Sequence, residues 1–173
     1  ESMFSVGHMV MHPNAGVCKI EDIRKQKFSK LEEQLYYILK PIYDNNASII
    51  YVPVESDKVV LRRLLSINDI KTLIHSVSLD KPLWIENDAR RNEKFKAILN
   101  SGDHVIIIQL IIEIHNQEIE KKKTGKKLHM ADGRIMQEAE KMIHQEFAYS
   151  LKLDIDEVAS YIMNELHIET ERV

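Results

Sequence analysis

Met3-Phe4-Ser5-Val6-Gly7-His8-Met9-Val10-Met11-His12-Pro13-Asn14-Ala15-Gly16-Val17 reads as two short strands joined by a Pro/Gly turn. Working outward, short alternating runs rich in Val, Ile and Tyr recur at Val17 to Ile23, Leu35 to Leu39 and Ile49 to Val52, with a second turn signal at Asp44-Asn45-Asn46. About five strands closing on themselves are expected, and closure would hide their edges. Leu61-Arg62-Arg63 ends this β-rich part.

Beyond it the hydrophobic period changes from two to that of a helix. Ser66-Ile67-Asn68-Asp69 is a capping sequence ahead of Ile70, Leu73, Ile74 and Val77 on one stripe. Pro82 interrupts, and Glu86 to Leu99 then carries Phe95, Ile98 and Leu99 inward before Ser101-Gly102 stops it. Val105 to Ile114 holds six isoleucines and a valine, a composition that favours a strand. Its continuation from a capping Asp103 to Thr124-Gly125, with charges only in the last turns, decides for a buried central helix instead. Met130 to Leu151 and Asp154 to His167 repeat the helical spacing, the second with Ile155, Val158, Ala159 and Ile162 on its face. The expected organisation is a β domain over residues 3–65 and a bundle of four or five helices over 66–173, hinged near residues 64–68.

The 173 residues allow one or two modest domains, and a unit of about 65 residues is only marginally stable by size. With 44% apolar and 29% charged residues the chain falls among ordinary globular proteins. Its densest apolar run, Val105 to Ile114, is cut by Gln109 and Glu113 and falls short of the roughly 20 residues of a spanning helix. Neither a membrane segment nor a signal peptide is expected. The single Cys18 permits no internal disulfide and suits a reducing cytoplasm. The net charge of −3 conceals an asymmetry: residues 89–127 hold nine Lys/Arg against five Asp/Glu, whereas 138–173 hold three against nine. A basic middle is thus masked by an acidic end.

The opening pattern F-x-V-G-x-x-V-x-x-P-x-x-G-V (Phe4 to Val17), followed by Tyr36-Tyr37-Ile38-Leu39-Lys40 and by Ile50-Tyr51-Val52-Pro53, resembles the polymerase-interacting domain of the CarD family of bacterial transcription factors, a module shared with the transcription-repair coupling factor. Looser likenesses follow: the basic pair Arg90-Arg91, the Ser101-Gly102 turn ten residues on, and Leu128-His129-Met130-Ala131-Asp132 before Gly133-Arg134. The resemblance implies an α+β fold, a small Tudor- or SH3-like β barrel followed by a C-terminal helical bundle. It also implies a regulator that docks on the RNA polymerase β subunit through an open strand edge and meets promoter DNA with its helices, modulating open-complex formation. Such a protein resides in the cytoplasm, at the nucleoid through polymerase.

At the places where family members touch polymerase, this chain carries Gln26 and Phe28 at the end of the second strand, and Tyr51. Tyrosine is a good interface anchor, although Tyr51 could equally pack on the barrel surface. For DNA, the candidates are Arg90, Arg91, Lys94 and Lys96 on one helix, Lys126 and Lys127 in the Lys121–Lys127 cluster, Arg134 and Trp84. Lysines there either answer the negative end of the helix dipole or contact phosphates. In the CarD pattern a tryptophan two residues before the basic pair wedges into the minor groove. That position here is Asp88, and the only tryptophan, Trp84, lies a helical turn earlier, either as a shifted wedge or as a packing residue.

No catalytic constellation emerges, so an enzyme is not expected. His8, His12 and Cys18 lack the spacing of a zinc site, and Gly125-Lys126 lacks the glycine that a phosphate-cradling loop needs five residues earlier. Glu113, His115 and the Asp154, Asp156, Glu157 group read as solvated charges. Neither metal, cofactor nor small-molecule substrate is implied. A polymerase-bound adaptor whose helices meet protein rather than DNA is the alternative.

Overall fold

The computed structural model describes residues 3–167, and the end of the acidic stretch, residues 168–173, lies outside them. The chain divides into two compact units, one ending at Leu65 and one beginning at Ser66.

The first unit is one antiparallel sheet of β1 (Met9–His12), β2 (Gly16–Gln26), β3 (Gln34–Pro41), β4 (Ile50–Pro53) and β5 (Arg62–Arg63), in the order β4-β3-β2-β1-β5. The Pro/Gly turn closes β1 on β2 with His12 opposite Gly16, whose φ of +78° is a backbone state that suits glycine. His12 is buried there, and its Nδ1 accepts the amide hydrogens of Asn14 and Ala15 at 3.1 and 3.0 Å. One face of the sheet forms a core of Phe4, Val10, Cys18, Ile20, Tyr37, Leu39, Val52 and Leu61. A bulge between Ile20 and Asp22 adds a residue to β2, so that Ile20 and Ile23, three apart, both turn to this face. The Phe4 amide donates to the Tyr37 hydroxyl at 3.2 Å and fastens the opening segment over the core.

The number of strands matches the sequence reading, but the sheet is open rather than closed into a barrel. Among the described residues no ladder joins β4 to β5. β5 is two residues long and β4 four, ending at a proline with no N–H to give, so both margins are short.

The second unit contains α1 (Ile67–His75), α2 (Asp88–Ser101), α3 (His104–Lys123), α4 (Met130–Leu151) and α5 (Ile155–Glu165). Ser66 and Asp69 form a reciprocal capping box on α1, Asn87 accepts from the Arg90 amide on α2, and Asp103 accepts from the Val105 amide on α3. The isoleucine-rich segment is helical, as its length and cap required, and it buries Ile107, Ile108, Leu110, Ile112 and Ile114. Gly125, at φ +71°, ends α3 in a Schellman turn: the Lys126 amide reaches the Lys121 carbonyl at 2.8 Å and the Gly125 amide reaches Lys122 at 3.1 Å. α4 packs on α3, α5 and α2 and buries Ile135, Ala139, Ile143 and Phe147. The expected face of α5 holds except at Ala159, which is exposed while Met163 is buried in its stead.

Burial lowers the pKa of His12 below its usual 6.5. The unfolded chain therefore takes up a proton that the folded one resists, and stability declines as pH falls below about 6.5. In denaturant titrations, His12→Asn, which keeps an acceptor for the two turn amides, is expected to lose less stability than wild type between neutral and acidic pH. An equal loss in both would show that His12 does not contribute to the acid sensitivity.

Candidate interaction surfaces

In the sheet unit, the residues alternating with the core set (Tyr36, Ile38 and Tyr51) project from the opposite face. Phe28, in the connection from β2 to β3, reaches the same place. The three rings make a mutual edge-to-face cluster: Phe28 to Tyr36 and Phe28 to Tyr51 at 5.1 Å, Tyr36 to Tyr51 at 6.3 Å. Gln34 donates to the Tyr36 hydroxyl at 3.0 Å, and Gln26 stands opposite Gln34 in the ladder. Tyr36 is buried beneath the other two, while Tyr51 stays 37% exposed. The structure thus brings Phe28 and Tyr51 together and puts Gln26 on the neighbouring rung. Tyr36 was missed, because its membership depends on the register that sets Ile38 opposite Tyr51.

β4 has no strand on its outer side among the described residues. The Val54 amide bonds to the Leu35 carbonyl at 2.9 Å, so by antiparallel alternation Val52 and Ile50 address β3, and the main-chain groups of Tyr51 and Pro53 turn outward. Proline at an outward position forfeits no ladder bond. On the core side of this margin lies a shallow cavity of about 150 Å³ bordered by Phe4, Tyr37, Val52, Pro53 and Leu61.

In the helical unit the expected basic residues separate into two groups. Arg91 belongs to the interior: it is 2% exposed, and all five of its N–H donors find acceptors. Nε and one terminal nitrogen grip Asp132 at the start of α4, at 3.0 and 2.8 Å. The same terminal nitrogen reaches Asp88 at 2.8 Å, and the other reaches the carbonyls of Ile85 and Glu86 at 2.8 and 3.3 Å. The guanidinium also lies 4.2 Å from the centre of the Trp84 ring, which meets Phe95 edge-on at 6.0 Å. The Trp84 amide bonds to Glu113 at 3.3 Å, and the Lys94 ammonium to the Leu83 carbonyl at 3.1 Å. Trp84, Arg91 and Lys94 therefore fix the segment before α2 to the bundle. Arg91 has no donor left for a phosphate, and the Trp84 ring is occupied within the unit.

Arg90, Lys96, Lys126, Lys127 and Arg134 are exposed. Arg90 lies in the first turn of α2, Lys126 and Lys127 in the loop that leads into α4, and Arg134 near the start of α4, whose first turn the Arg91–Asp132 bridge joins to that of α2. His129 in that loop lies 3.9 Å from Asp88. The hydrogen bond from Arg91 holds the Asp88 carboxyl below the usual carboxylate range, aided by the charges of His129, Arg91 and Lys121. Lys96 sits further along α2. Two cluster lysines are answered on their own helix, Lys122 by Glu118 at 3.3 Å and Lys123 by Glu120 at 3.0 Å. No group of three or more His, Cys, Asp or Glu able to hold a metal occurs among the described residues, and no described helix is long and apolar enough to cross a membrane.

The first unit is a small antiparallel sheet with an unpaired margin among the described residues and an aromatic platform beside it. Residues 4–65 match the family model of the CarD-like/TRCF RID domain, and the N-terminal unit belongs to that family. The match ends where the helical unit begins. The match suggests a transcription-associated protein and implies that this unit interacts with RNA polymerase. No curated protein matches the chain.

Removing one partner of a buried ion pair strands the other charge, which costs about 3–5 kcal/mol. Asp132→Ala is expected to lower the stability of the helical unit by that order in chemical denaturation followed by Trp84 fluorescence. The double change Arg91→Met with Asp132→Leu, which removes both charges, should recover most of the loss. Equal destabilisation by the single and double variants would contradict the view that charge burial sets the cost.

Proposed function

We propose that the chain is a CarD-like transcription regulator that docks on the β subunit of RNA polymerase through the β4 margin and lays the basic corner of its helical unit on promoter DNA, altering open-complex formation. The observation that carries this reading is the family match over residues 4–65, which coincides with a sheet whose outer strand turns unpaired main-chain groups away from its neighbour. A polymerase strand added to β4 would bond to the Tyr51 main chain, and its side chains would alternate between two faces. Those on one face would meet the platform of Phe28, Tyr36 and Tyr51, with Gln26 at its rim. Those on the other would face the cavity by Phe4 and Val52, whose volume is about that of an engineered pocket able to hold benzene.

For DNA, exposed Arg90, Lys96, Lys126, Lys127 and Arg134 are suited to phosphates, a mode that is salt-sensitive and weakly dependent on sequence. In this reading the protein catalyses nothing. It changes initiation rates by binding some promoter intermediates more tightly than others, in the cytoplasm at the nucleoid. The alternative, an adaptor whose helices meet protein, is favoured by one observation: Trp84 and Arg91, the expected wedge and its basic neighbour, are committed to internal contacts.

Two measurements test the reading. Capture of a polymerase β-lobe fragment by the Tyr51→Ala chain is expected to weaken by at least about tenfold, the scale of an interface anchor, and undiminished capture would remove the assigned interface. Promoter duplex titrated with the whole chain should bind with a steep loss of affinity as salt rises. Negligible affinity at low salt would leave the adaptor standing.

A further inference from the structure

The two margins of the sheet are defended unequally. β5 is the pair Arg62-Arg63, and like charges set along an edge repel a second copy of that edge. β4 has no such guard: between Asp44 and Glu55 the sequence Asn45-Asn46-Ala47-Ser48-Ile49-Ile50-Tyr51-Val52-Pro53-Val54 contains no charged residue. Ile49 and Tyr51 are exposed there, and exposed Met3 and Val60 border the adjoining cavity. The remaining exposed large hydrophobics of the described sheet unit are only Val6, Leu31 and Leu35, so most of this surface collects at one edge. The ladder to β3 turns the main-chain groups of Tyr51 and Pro53 outward at the same edge.

We propose that β4 pairs antiparallel with β4 of a second copy about a two-fold axis at Tyr51, giving a dimer in which each chain hides the other's docking margin. The order of residues fits this occupant. With Tyr51 facing the partner's Tyr51, the two main chains exchange amide and carbonyl reciprocally, and the Ile49 amide reaches the carbonyl of the partner's Pro53, the one main-chain group a proline still offers. Ile50 falls opposite the partner's Val52, and Ser48 opposite the partner's Val54, so within the strand no charge meets a like charge. Glu55, the nearest acid, falls opposite the partner's Ala47. An axis perpendicular to the sheet keeps equivalent faces on the same side. The platform of Phe28, Tyr36 and Tyr51 therefore meets its own copy across the axis, with the Tyr51 rings as the central cross-strand pair. Proline stops the ladder after these rungs, which leaves the dimer weak enough for a competing strand to split it. The pairing stands on the sheet alone, while its effect on polymerase rests on the docking reading above.

The test is light scattering of the whole chain over a range of concentrations, at low and at high salt. Wild type should rise from the 20.2 kDa of one chain toward twice that mass, and no less at high salt, since no ion pair takes part. At the axis, residue 51 faces its own copy. Tyr51→Lys and Tyr51→Glu are therefore each expected to self-associate at least about tenfold more weakly, the scale of a lost interface anchor, while an equimolar mixture of the two regains the doubled mass. Ile49→Lys mixed with Ile49→Glu should gain nothing over either alone, because residue 49 faces Pro53 rather than itself. Both positions are exposed, so the replacements leave the sheet intact. A polymerase β-lobe fragment added to wild type should split the pair into complexes of one chain with one lobe. Wild type that keeps the mass of one chain at every concentration, or a Lys/Glu mixture that stays monomeric, overturns the pairing. If the lobe binds without splitting the pair, the occlusion is overturned and the pairing stands. If the pair forms and the lobe does not bind at all, the docking reading falls by itself.

Discussion

A guanidinium taken out of water must have every N–H answered, and in this chain that requirement organises the helical unit. Arg91 brings the first turn of α2 to the first turn of α4 through Asp132, draws in the carbonyls of Ile85 and Glu86, and provides a charged lid for the Trp84 ring. Desolvating the ion pair costs several kcal/mol, which only near-complete hydrogen bonding offsets. Its value lies in geometry: a misplaced helix start would strand a charge, so the corner has one low-energy arrangement. The exposed cations at that corner inherit their positions from the buried one.

The sheet unit obeys a different constraint. With so few residues it cannot cover both of its faces with further layers, and it commits one face to the core around Tyr37 and Leu39. The other is shielded by its own aromatics, and burying Tyr36 under Phe28 and Tyr51 leaves an apolar platform next to an unpaired strand. Pro53 keeps that strand short by removing the next outward donor. The margin is accordingly a place for a few rungs of pairing, a modest defence against indiscriminate strand addition.

Much of this was legible in the sequence, and the physical reasons differ by element. Helices α1 and α3 were legible from their caps, which are local, Ser66 with Asp69 and Asp103 before the isoleucine run, whereas α2 was legible from its inward Phe95, Ile98 and Leu99 and its Ser101-Gly102 stop, its Asn87 cap going unread. Asp103 with Gly125 settled a segment whose composition argued for a strand. Closure of the sheet was not legible, because it depends on whether the chain ends pair across space, and β5 proved two residues long. The aromatic cluster was half legible: Phe28 and Tyr51 stood out, but Tyr36 joins them only through cross-strand register. Arg91 was misplaced because charge alone cannot separate a surface arginine from a buried one. The clue was available in Asp88, three residues before it, at the spacing at which helix side chains pair.

The isoleucine run in α3 carries a consequence for how the protein fails. Val105 to Ile114 is β-prone by composition and is held helical by its cap and by packing against α1, α2 and α4. α4 follows α3 in the chain, so during synthesis the run emerges before the partner that covers much of it. Once the bundle loosens, ten residues of strand-forming sequence interrupted only by Gln109 and Glu113 are open to neighbouring copies. Heat inactivation of the helical unit is thereby expected to couple to self-association, as a kinetic and concentration-dependent event rather than a reversible melt.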